Sequence, residues 1–399
     1  MKVKINKSIY KGKILIPSSK SYSHRYLIAS MLSNSSCKVN NIYYSKDVQA
    51  TLNCMSSFGC SYILNNDNVE IISSNNVILN PIFDCNESGS TLRFLIPISL
   101  TKYHKVTFKG TKKLIERGIG VYEDLFTQKG INVTKNEEKI EIEGHLTSGE
   151  YILNGNESSQ YISGLLFALP LLDGDSVIKL LPPINSKNYI DMTLKVLDEY
   201  QIIYKYENDS IFIKGNQKYI ARNVVVEGDY SNSAFLDAFN YLGNDIEVIG
   251  LNKDSLQGDK VYIEYFKKID QEHPILDVSN CIDLAPILMS LGALKHGVTL
   301  KGTSRLKIKE SSRGEAMKEE LEKIGVKVDI FDDYLVVNKS NLVKPRTNFY
   351  SHNDHRIAMA LSIVSSLFDI VIEGIEAIEK SYPRYLEDLR KLGGTVIYE

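Results

Sequence analysis

The 399-residue sequence lacks the cysteine pattern of a disulfide framework or a zinc site. It has five cysteines, an odd number, and no two of them stand at C-x-x-C spacing. Secreted disulfide scaffolds carry even numbers of cysteines, and zinc sites use closely spaced cysteine pairs. The sequence therefore favours a reducing compartment, and we expect a cytoplasmic protein.

We also expect neither a signal peptide nor a membrane span in this sequence. The N-terminal stretch MKVKINKSIYKGK has no apolar segment of the kind that signal peptides contain. The longest apolar stretch, residues 357–372, is interrupted by serines and an aspartate and is short for a membrane span, so it predicts a core helix. The net charge of −2 gives no overall attraction to nucleic acid or acidic membranes. We expect neither partner, and any anion binding must come from local clusters of positive charge.

Three common site motifs are absent as well. The stretch GKILIPSSKS has no glycine directly before Lys20, so it is not a P-loop. No Gly-x-Ser-x-Gly elbow of a hydrolase occurs. His24, His352 and His355 lack the cysteine or carboxylate partners of a metal-ligand set. We therefore expect no bound metal.

A unit of about 70 residues recurs six times along the chain. In each unit an amphipathic helix ends in a turn that precedes a β-branched strand, and these turns are predicted at Gly59, Gly130, Gln201, about Ile269, Gly325 and Gly393. Each unit also contains an apolar helix, which comes before the amphipathic one and follows a polar loop; these helices begin near Ser21, Ser90, Gln160, Ser231, Asp283 and Asp354. The repeat predicts two helices and several short strands per unit, in the order βαβαββ. The apolar helices should be buried on all sides.

Six such units exceed what one core can hold, because single cores stop growing at about 250–300 residues. Three units in each of two domains is the natural division. We predict an N-terminal domain of residues 14–226, and a C-terminal domain of residues 1–13 plus 227–399. The second domain is discontinuous because the first strand, KVKI, is expected to pair into it.

Basic residues lie where apolar helices begin. Arg25, Arg93 and Arg356 each stand in the first turn of such a helix, where positive charge is disfavoured and burial without a partner is costly. The free N–H groups of a helix start bind anions. One arginine at such a place is explained by a structural ion pair, and a serine there by capping. Three arginines at equivalent places favour a shared anionic ligand.

Two acids are candidates for proton transfer. Asp283 opens an apolar helix, and Glu310 stands between Lys309 and Arg313, which we predict to lie one turn apart on one helix face. A carboxylate among cations is strongly ionised, and two carboxylates can divide the work of general base and acid. The structural alternatives are an N-cap for Asp283 and a first-turn acid that suits the helix dipole for Glu310. The residues alone leave both readings open.

The chain resembles the 5-enolpyruvylshikimate-3-phosphate (EPSP) synthase family along its whole length. The resemblance is carried by PSSKSYSHR, NESGSTLRF, SSQYISGLL, SKNYIDMTL, KESSR, NDHRIAM and KSYPRYL, in the family's order. It implies a two-domain inside-out α/β barrel with the active site in the cleft between the domains. It also implies transfer of the enolpyruvyl group of phosphoenolpyruvate to the 5-hydroxyl of shikimate 3-phosphate, with no cofactor. We expect a monomer.

The resemblance implies a role for each matching residue. Shikimate 3-phosphate would contact Lys20, Ser21, Arg25, Ser158, Ser159, Gln160, Ser186, Asp283 and Lys309. Phosphoenolpyruvate would contact Lys20, Gly89, Arg117, Gln160, Arg313, Arg356 and Lys380. Asp283 would accept a proton, Glu310 would donate one, and Lys20 would complete the catalytic set near the leaving phosphate.

Two alternatives share this fold. The first is the related transferase that acts on UDP-N-acetylglucosamine, which usually has asparagine after the first lysine of the motif. Here Ser21 follows Lys20, and the next residues SHR favour shikimate 3-phosphate. The second is a non-catalytic homologue that binds anions, and the presence of both Asp283 and Glu310 argues against it.

Overall fold

The computed structural model describes residues 1–72 and 78–399, and the chain divides into two compact units. The N-unit is Ser18–Glu227, and the C-unit combines Met1–Pro17 with Gly228–Glu399. The junctions lie a few residues from the predicted boundaries. Each unit alternates helices with short strands, and the predicted mixed α/β class is confirmed.

The chain opens with two strands of the C-unit, β1 (Lys2–Ile5) and β2 (Lys11–Leu15). The N-unit then contains α1 (Lys20–Met31), β3 (Cys37–Asn40), α2 (Lys46–Ser57), β4 (Ser61–Asn65), β5 (Asn68–Ile72), β6 (Ile82–Asp84), α3 (Gly89–Ser99), β7 (Lys105–Lys109), α4 (Lys112–Arg117), α5 (Gly120–Gln128), β8 (Asn132–Lys135), β9 (Lys139–Glu143), β10 (Gly149–Asn154), α6 (Ser159–Ala168), β11 (Ser176–Leu181), α7 (Lys187–Glu199), β12 (Tyr204–Glu207), β13 (Ser210–Ile213) and β14 (Val224–Val225).

The rest of the C-unit contains α8 (Tyr230–Asn240), β15 (Asp245–Ile249), α9 (Tyr262–Gln271), β16 (Ile275–Asp277), α10 (Ala285–Leu294), β17 (Val298–Lys301), α11 (Arg313–Glu322), β18 (Val328–Ile330), β19 (Tyr334–Val337), β20 (Phe349–Tyr350), α12 (His355–Ser362), β21 (Ile370–Glu373), α13 (Tyr385–Lys391) and β22 (Val396–Tyr398). Short 3-10 helices occupy 169–171, 258–261, 282–284, 304–308, 363–366 and 375–380.

The strands of the described residues form five four-stranded sheets and one two-stranded pair. The sheets of the N-unit run β14-β3-β5-β4, β6-β7-β9-β8 and β10-β11-β13-β12, and those of the C-unit run β16-β17-β19-β18 and β20-β21-β1-β22. In each of the five sheets the first two strands are parallel and the other neighbours antiparallel. The parallel pair β15–β2 is the shortened copy. The strand KVKI, as predicted, pairs into the C-unit as β1.

The apolar helices of the repeat lie inside each unit. In α1 the ten residues from Tyr22 to Met31 are buried, and in α10 all residues from Ala285 to Ala293 are buried. A helix that is apolar all round has no face to offer to water, so it must be enclosed by neighbouring elements. The predicted burial of these helices is confirmed. Within the described residues, no helix combines the length and apolar character that a membrane crossing requires.

Most of the predicted turns adopt the left-handed conformation. Gly59 has φ +95°, and Gln201, although not a glycine, has φ 60°. The turn predicted near Ile269 lies a few residues further along the chain, because α9 continues to Gln271 and ends at the extended residue Glu272. The predicted core helix at 357–372 was right only as far as Ser362, and a strand occupies residues 370–373. The run Ile-Val-Ile there is β-branched and suits a strand.

Candidate active site

The first polar loop of the N-unit leads directly into α1. The Oγ of Ser19 caps the helix by accepting from the backbone N–H of Tyr22. Lys20, the first residue of α1, places Nζ 2.8 Å from Oδ2 of Asp47 at the start of α2. The Lys20 side chain is 16% exposed. The Asp47 carboxylate therefore holds the ammonium group of Lys20, while part of the lysine side chain, next to Ser21 in the sequence, still reaches solvent.

Arg25 is buried one turn further along α1 and is held by neutral groups. Its Nε donates to Oγ1 of Thr193 at 2.9 Å, and its Nη2 donates to the backbone oxygen of Tyr189 at 2.9 Å. Its Nη1 donates to the backbone oxygen of Ser21 at 2.8 Å. Burial lowers the pKa of Arg25 to about 10, which still leaves it charged at neutral pH. Within the described residues it forms no ion pair, so its positive charge is uncompensated.

Gly89, the first residue of α3, lies among cationic and amide groups. A Cβ added at Gly89 would lie 2.9 Å from Nη1 of Arg93 and 3.3 Å from Nη2 of Arg117. Arg93 Nη1 donates to Oε1 of Gln160 at 2.7 Å, and Nε2 of Gln160 donates to Oγ of Ser90 at 2.9 Å. Within the described residues Arg93 also has no ion pair. The N-unit thus gathers two guanidiniums and an amide around a backbone without a side chain.

The predicted serines lie at two further helix starts. Ser158 caps α6 by accepting from the N–H of Gln160, and Ser159 is the first residue of that helix. Ser186 precedes α7 and is buried with φ 55°, in the left-handed region. Hydroxyls and free N–H groups at helix starts suit a phosphate or carboxylate. The hydroxyl of Ser158 caps α6 and so already binds one of the free N–H groups of that helix.

Arg117 lies at the junction between two short helices of the N-unit, α4 and α5. Arg117 is the last residue of α4, and Gly118 follows it with φ 66°. A cation is favoured at this end of a helix, where the backbone carbonyls carry partial negative charge. Its guanidinium nevertheless reaches Gly89, as described above.

In the C-unit, Asp283 is surrounded by three cations. Its Oδ1 lies 2.7 Å from Nη1 of Arg313 and 3.2 Å from Nζ of Lys309. Its Oδ2 lies 3.1 Å from Nη2 of Arg356. Burial raises the pKa of Asp283, but Arg356, Lys309 and Arg313 outweigh that effect and hold the pKa well below the ordinary value. Asp283 is therefore an ionised carboxylate.

Arg313 is the centre of this cluster. Its side chain is 1% exposed, and its three nitrogens reach Asp283, Glu310 and Asp354. The distances are 2.6 Å from Nη2 to Oε2 of Glu310 and 2.8 Å from Nε to Oδ2 of Asp354. Burial lowers the pKa of Arg313, but the three carboxylates outweigh it and hold the pKa well above the ordinary value. The guanidinium thus acts as the link between both candidate proton-transfer acids.

Lys309 and Arg313 do not share a helix face, contrary to the prediction. The helix α11 begins only at Arg313, and Lys309 directly follows the 3-10 helix 304–308. Both side chains nonetheless converge on Asp283. Lys380 is buried at the end of the 3-10 helix 375–380, where its Nζ donates to the backbone oxygen of Asn353 at 2.5 Å. This hydrogen bond connects Lys380 to the residues that lead into α12 and Arg356.

Comparison with known proteins identifies the family. The family profile described as EPSP synthase (3-phosphoshikimate 1-carboxyvinyltransferase) matches residues 5–389. The chain belongs to the EPSP synthase family. Relatives named 3-phosphoshikimate 1-carboxyvinyltransferase from Clostridium kluyveri and Clostridium acetobutylicum are 39% and 42% identical, and each alignment covers 99% of this chain and 98% of the relative. The family predicted from the motifs is confirmed.

Solved structures agree on the fold. EPSP synthase from Acinetobacter baumannii superposes with a TM-score of 0.79 at 21% identity, with 100% of both chains covered. The enolpyruvyl transferase NikO from Streptomyces tendae gives a TM-score of 0.80 at 12% identity, covering 100% of this chain and 98% of NikO. At these identities the likeness shows the EPSP synthase fold and nothing finer.

Two acids of the site were not predicted. Asp47 pairs with Lys20, and Asp354, which is fully buried, both caps α12 and binds Arg313. Asp354 stands inside the motif NDHRIAM, but its sequence position indicates only a helix start. Its second role depends on where α11 packs, which the local sequence does not reveal.

Proposed function

We propose that this chain transfers the enolpyruvyl group of phosphoenolpyruvate to the 5-hydroxyl of shikimate 3-phosphate and releases phosphate. The enzyme class follows from membership of the EPSP synthase family, which is a family of transferases in aromatic amino acid biosynthesis. The observation that carries the proposal is the ionised carboxylate of Asp283 held by Lys309, Arg313 and Arg356. Such a cluster can bind anions and accept a proton at one place.

Both substrates are anions that carry a phosphate and a carboxylate. We assign shikimate 3-phosphate to Lys20, Ser21, Arg25, Ser158, Ser159, Gln160 and Ser186 in the N-unit, and to Asp283 and Lys309 in the C-unit. Arg25 supports this assignment best, because its hydrogen-bond partners are neutral and a buried guanidinium gains most from an anion. Planar guanidinium groups also match the geometry of phosphate and carboxylate oxygens.

We assign phosphoenolpyruvate to Lys20, Gly89, Arg117 and Gln160 in the N-unit, and to Arg313, Arg356 and Lys380 in the C-unit. Gly89 supports this assignment because the absence of a Cβ leaves the backbone accessible between two guanidiniums. An anion placed there would receive charge from Arg117 and backbone N–H groups from the start of α3.

The proposed reaction is an addition followed by an elimination. The 5-hydroxyl oxygen bonds to C2 of phosphoenolpyruvate while Asp283 accepts the hydroxyl proton and Glu310 donates a proton to C3. The bond between C2 and the phosphate oxygen then breaks as C3 returns a proton to the Glu310 carboxylate, the double bond is restored, and the departing phosphate takes the proton from Asp283. Lys20 stabilises the charge that develops on the leaving phosphate.

Electrostatics explains how Asp283 gains basicity during this cycle. In the free protein three cations stabilise its charge, so it is a weak base. Anionic substrates on Lys309, Arg313 and Arg356 compete for those cations and raise the pKa of Asp283. Donation by Glu310 similarly requires that substrate binding weaken its contact with Arg313, since that contact favours the ionised form.

The test is phosphate release from phosphoenolpyruvate with purified protein. Release that requires shikimate 3-phosphate, and does not occur with UDP-N-acetylglucosamine, supports the proposal. Release only with the UDP-sugar assigns the related transferase, and release with neither acceptor contradicts both. The monomeric state and the cytoplasmic location stay predictions.

A further inference from the structure

A buried carboxylate outside the proposed reacting groups lies on α11. The side chain of Glu320 is 0% exposed, and its Oε2 accepts from the backbone N–H of Tyr350 at 2.9 Å. Its Oε1 lies 2.9 Å from Nε2 of His352. Lys323 Nζ donates to both oxygens, at 2.9 and 2.8 Å, and also to the backbone oxygen of Asn348 at 3.0 Å. Glu320 and Lys323 thus hold the segment 348–352 against α11.

That segment delivers two charged groups to the cluster around Asp283. It continues through Asn353 into Asp354, which caps α12, and Arg356 follows in the first turn. His352 and Asn353 have φ 50° and 53°, a left-handed conformation that residues with a side chain rarely adopt. A pair of such residues requires surrounding contacts that define the path of the chain.

Just beyond residues 348–352, the chain is held to α11 at a second point, Asp354. Arg313, the first residue of α11, binds Asp354, and Glu320 lies seven positions further along the helix. At 1.5 Å per residue the two attachment points are about 10 Å apart along the helix axis. Two attachments at this separation fix both the position and the direction of the segment relative to α11.

A metal ion is the competing interpretation of this cluster. Oxygen and nitrogen atoms of Glu319, Glu320 and His352 lie within 4.8 Å of one another. However, the ammonium of Lys323 already binds both oxygens of Glu320, and Glu319 is mostly exposed. The geometry therefore favours a contact between protein groups.

We propose that Glu320 is a positioning residue for phosphoenolpyruvate binding. It sets the distance between Arg313, on α11, and Arg356, beyond the held segment. The inference rests on the proposed function, because both arginines are assigned there to phosphoenolpyruvate. Loss of the Glu320 contacts lets the segment move and misplaces Arg356, so the affinity for phosphoenolpyruvate falls while the reacting groups remain.

The experiment compares Glu320→Ala with wild type and with Glu322→Gln, a matched control because Glu322 is exposed on the same helix. We expect KM for phosphoenolpyruvate to rise about 10-fold in Glu320→Ala, with kcat changed less than about 2-fold. The control keeps the wild-type values. His352→Ala removes one of the contacts that Glu320 makes, keeps the Glu320–Lys323 pair, and should raise KM by a smaller factor. It also keeps the inference testable if Glu320→Ala does not fold.

The outcomes separate the two proposals. No turnover of the two substrates by wild type contradicts the proposed function itself. Active wild type with an unchanged KM in both folded variants overturns the positioning role, whether or not their Tm falls. Zinc chloride that raises the Tm of wild type but not of Glu320→Ala would assign a metal site and likewise overturn it.

Discussion

Replacing Asp283 by asparagine tests the centre of the cationic cluster. The amide keeps the size of the side chain but removes the negative charge that Lys309, Arg313 and Arg356 share. Two effects of opposite direction should follow. Turnover should fall because the proton acceptor is gone, and anion binding should tighten because three cations lose a competing carboxylate.

The contacts of Asp283 determine how large the loss of turnover and the gain in affinity should be. A positioned base contributes about 10²- to 10⁴-fold to rate, so we expect kcat to fall by at least about 100-fold. A unit charge at 4 Å contributes about 4 kcal/mol at an effective dielectric constant of 20. Screening and the remaining carboxylates Glu310 and Asp354 reduce that effect, so we expect about 10-fold tighter binding of phosphoenolpyruvate, equivalent to about 1.4 kcal/mol.

The assays are phosphate release for turnover and titration calorimetry for phosphoenolpyruvate affinity. Asp332→Asn, at an exposed position in the same unit, is the control and should match wild type. A folded Asp283→Asn variant that keeps more than a tenth of wild-type turnover would refute the assigned role. Weaker binding of phosphoenolpyruvate by that variant would refute the electrostatic reasoning.

Three further predictions concern other parts of the chain. Gly89→Ala should raise KM for phosphoenolpyruvate by about 10-fold or more, since the new Cβ would lie 2.9 Å from Nη1 of Arg93, and unchanged kinetics would contradict this. Lys20→Ala should reduce kcat by about 100-fold or more in a protein that circular dichroism shows to be folded, and near-normal turnover would remove Lys20 from the catalytic set. Burial raises the pKa of Asp237 to about 6, whereas the unfolded chain releases the same proton at about pH 4. Because the folded state holds that proton more tightly, the stability of wild type falls as pH rises from about 4 through 6. The free energy of unfolding of Asp237→Asn should therefore exceed that of wild type by about 3 kcal/mol at pH 8 and equal it near pH 4. Denaturant unfolding curves that give the two proteins equal stability at both pH values would contradict this prediction.

Local sequence predicted the features that depend on neighbouring residues. The starts of α1, α3 and α6 follow from serines that precede apolar runs, because a capping hydroxyl and a buried helix face are both local properties. The turns at Gly59 and Gln201 follow from the place where an amphipathic helix meets a strand. Gln201 adopts φ 60° without being a glycine, so the repeat spacing predicted the turn better than residue type did.

The features that sequence did not predict depend on distant contacts. Asp47 lies 27 positions from Lys20, and Asp354 lies 41 positions from Arg313. Neither spacing belongs to a helix or strand periodicity, so only packing brings these charges together. Lys309 shows the opposite case: the expected helix face does not exist, yet the side chain reaches Asp283 because a 3-10 segment leads directly to it.

The most direct test of the proposed reaction follows both phosphates in one sample. Phosphorus NMR of the protein with phosphoenolpyruvate and shikimate 3-phosphate resolves substrates, product and free phosphate over time. We expect both substrates to decline at one rate, and free phosphate and a single carboxyvinyl ether product to rise at that same rate. Free phosphate that rises while shikimate 3-phosphate stays constant would contradict the proposed reaction, because it would show hydrolysis of phosphoenolpyruvate instead of transfer.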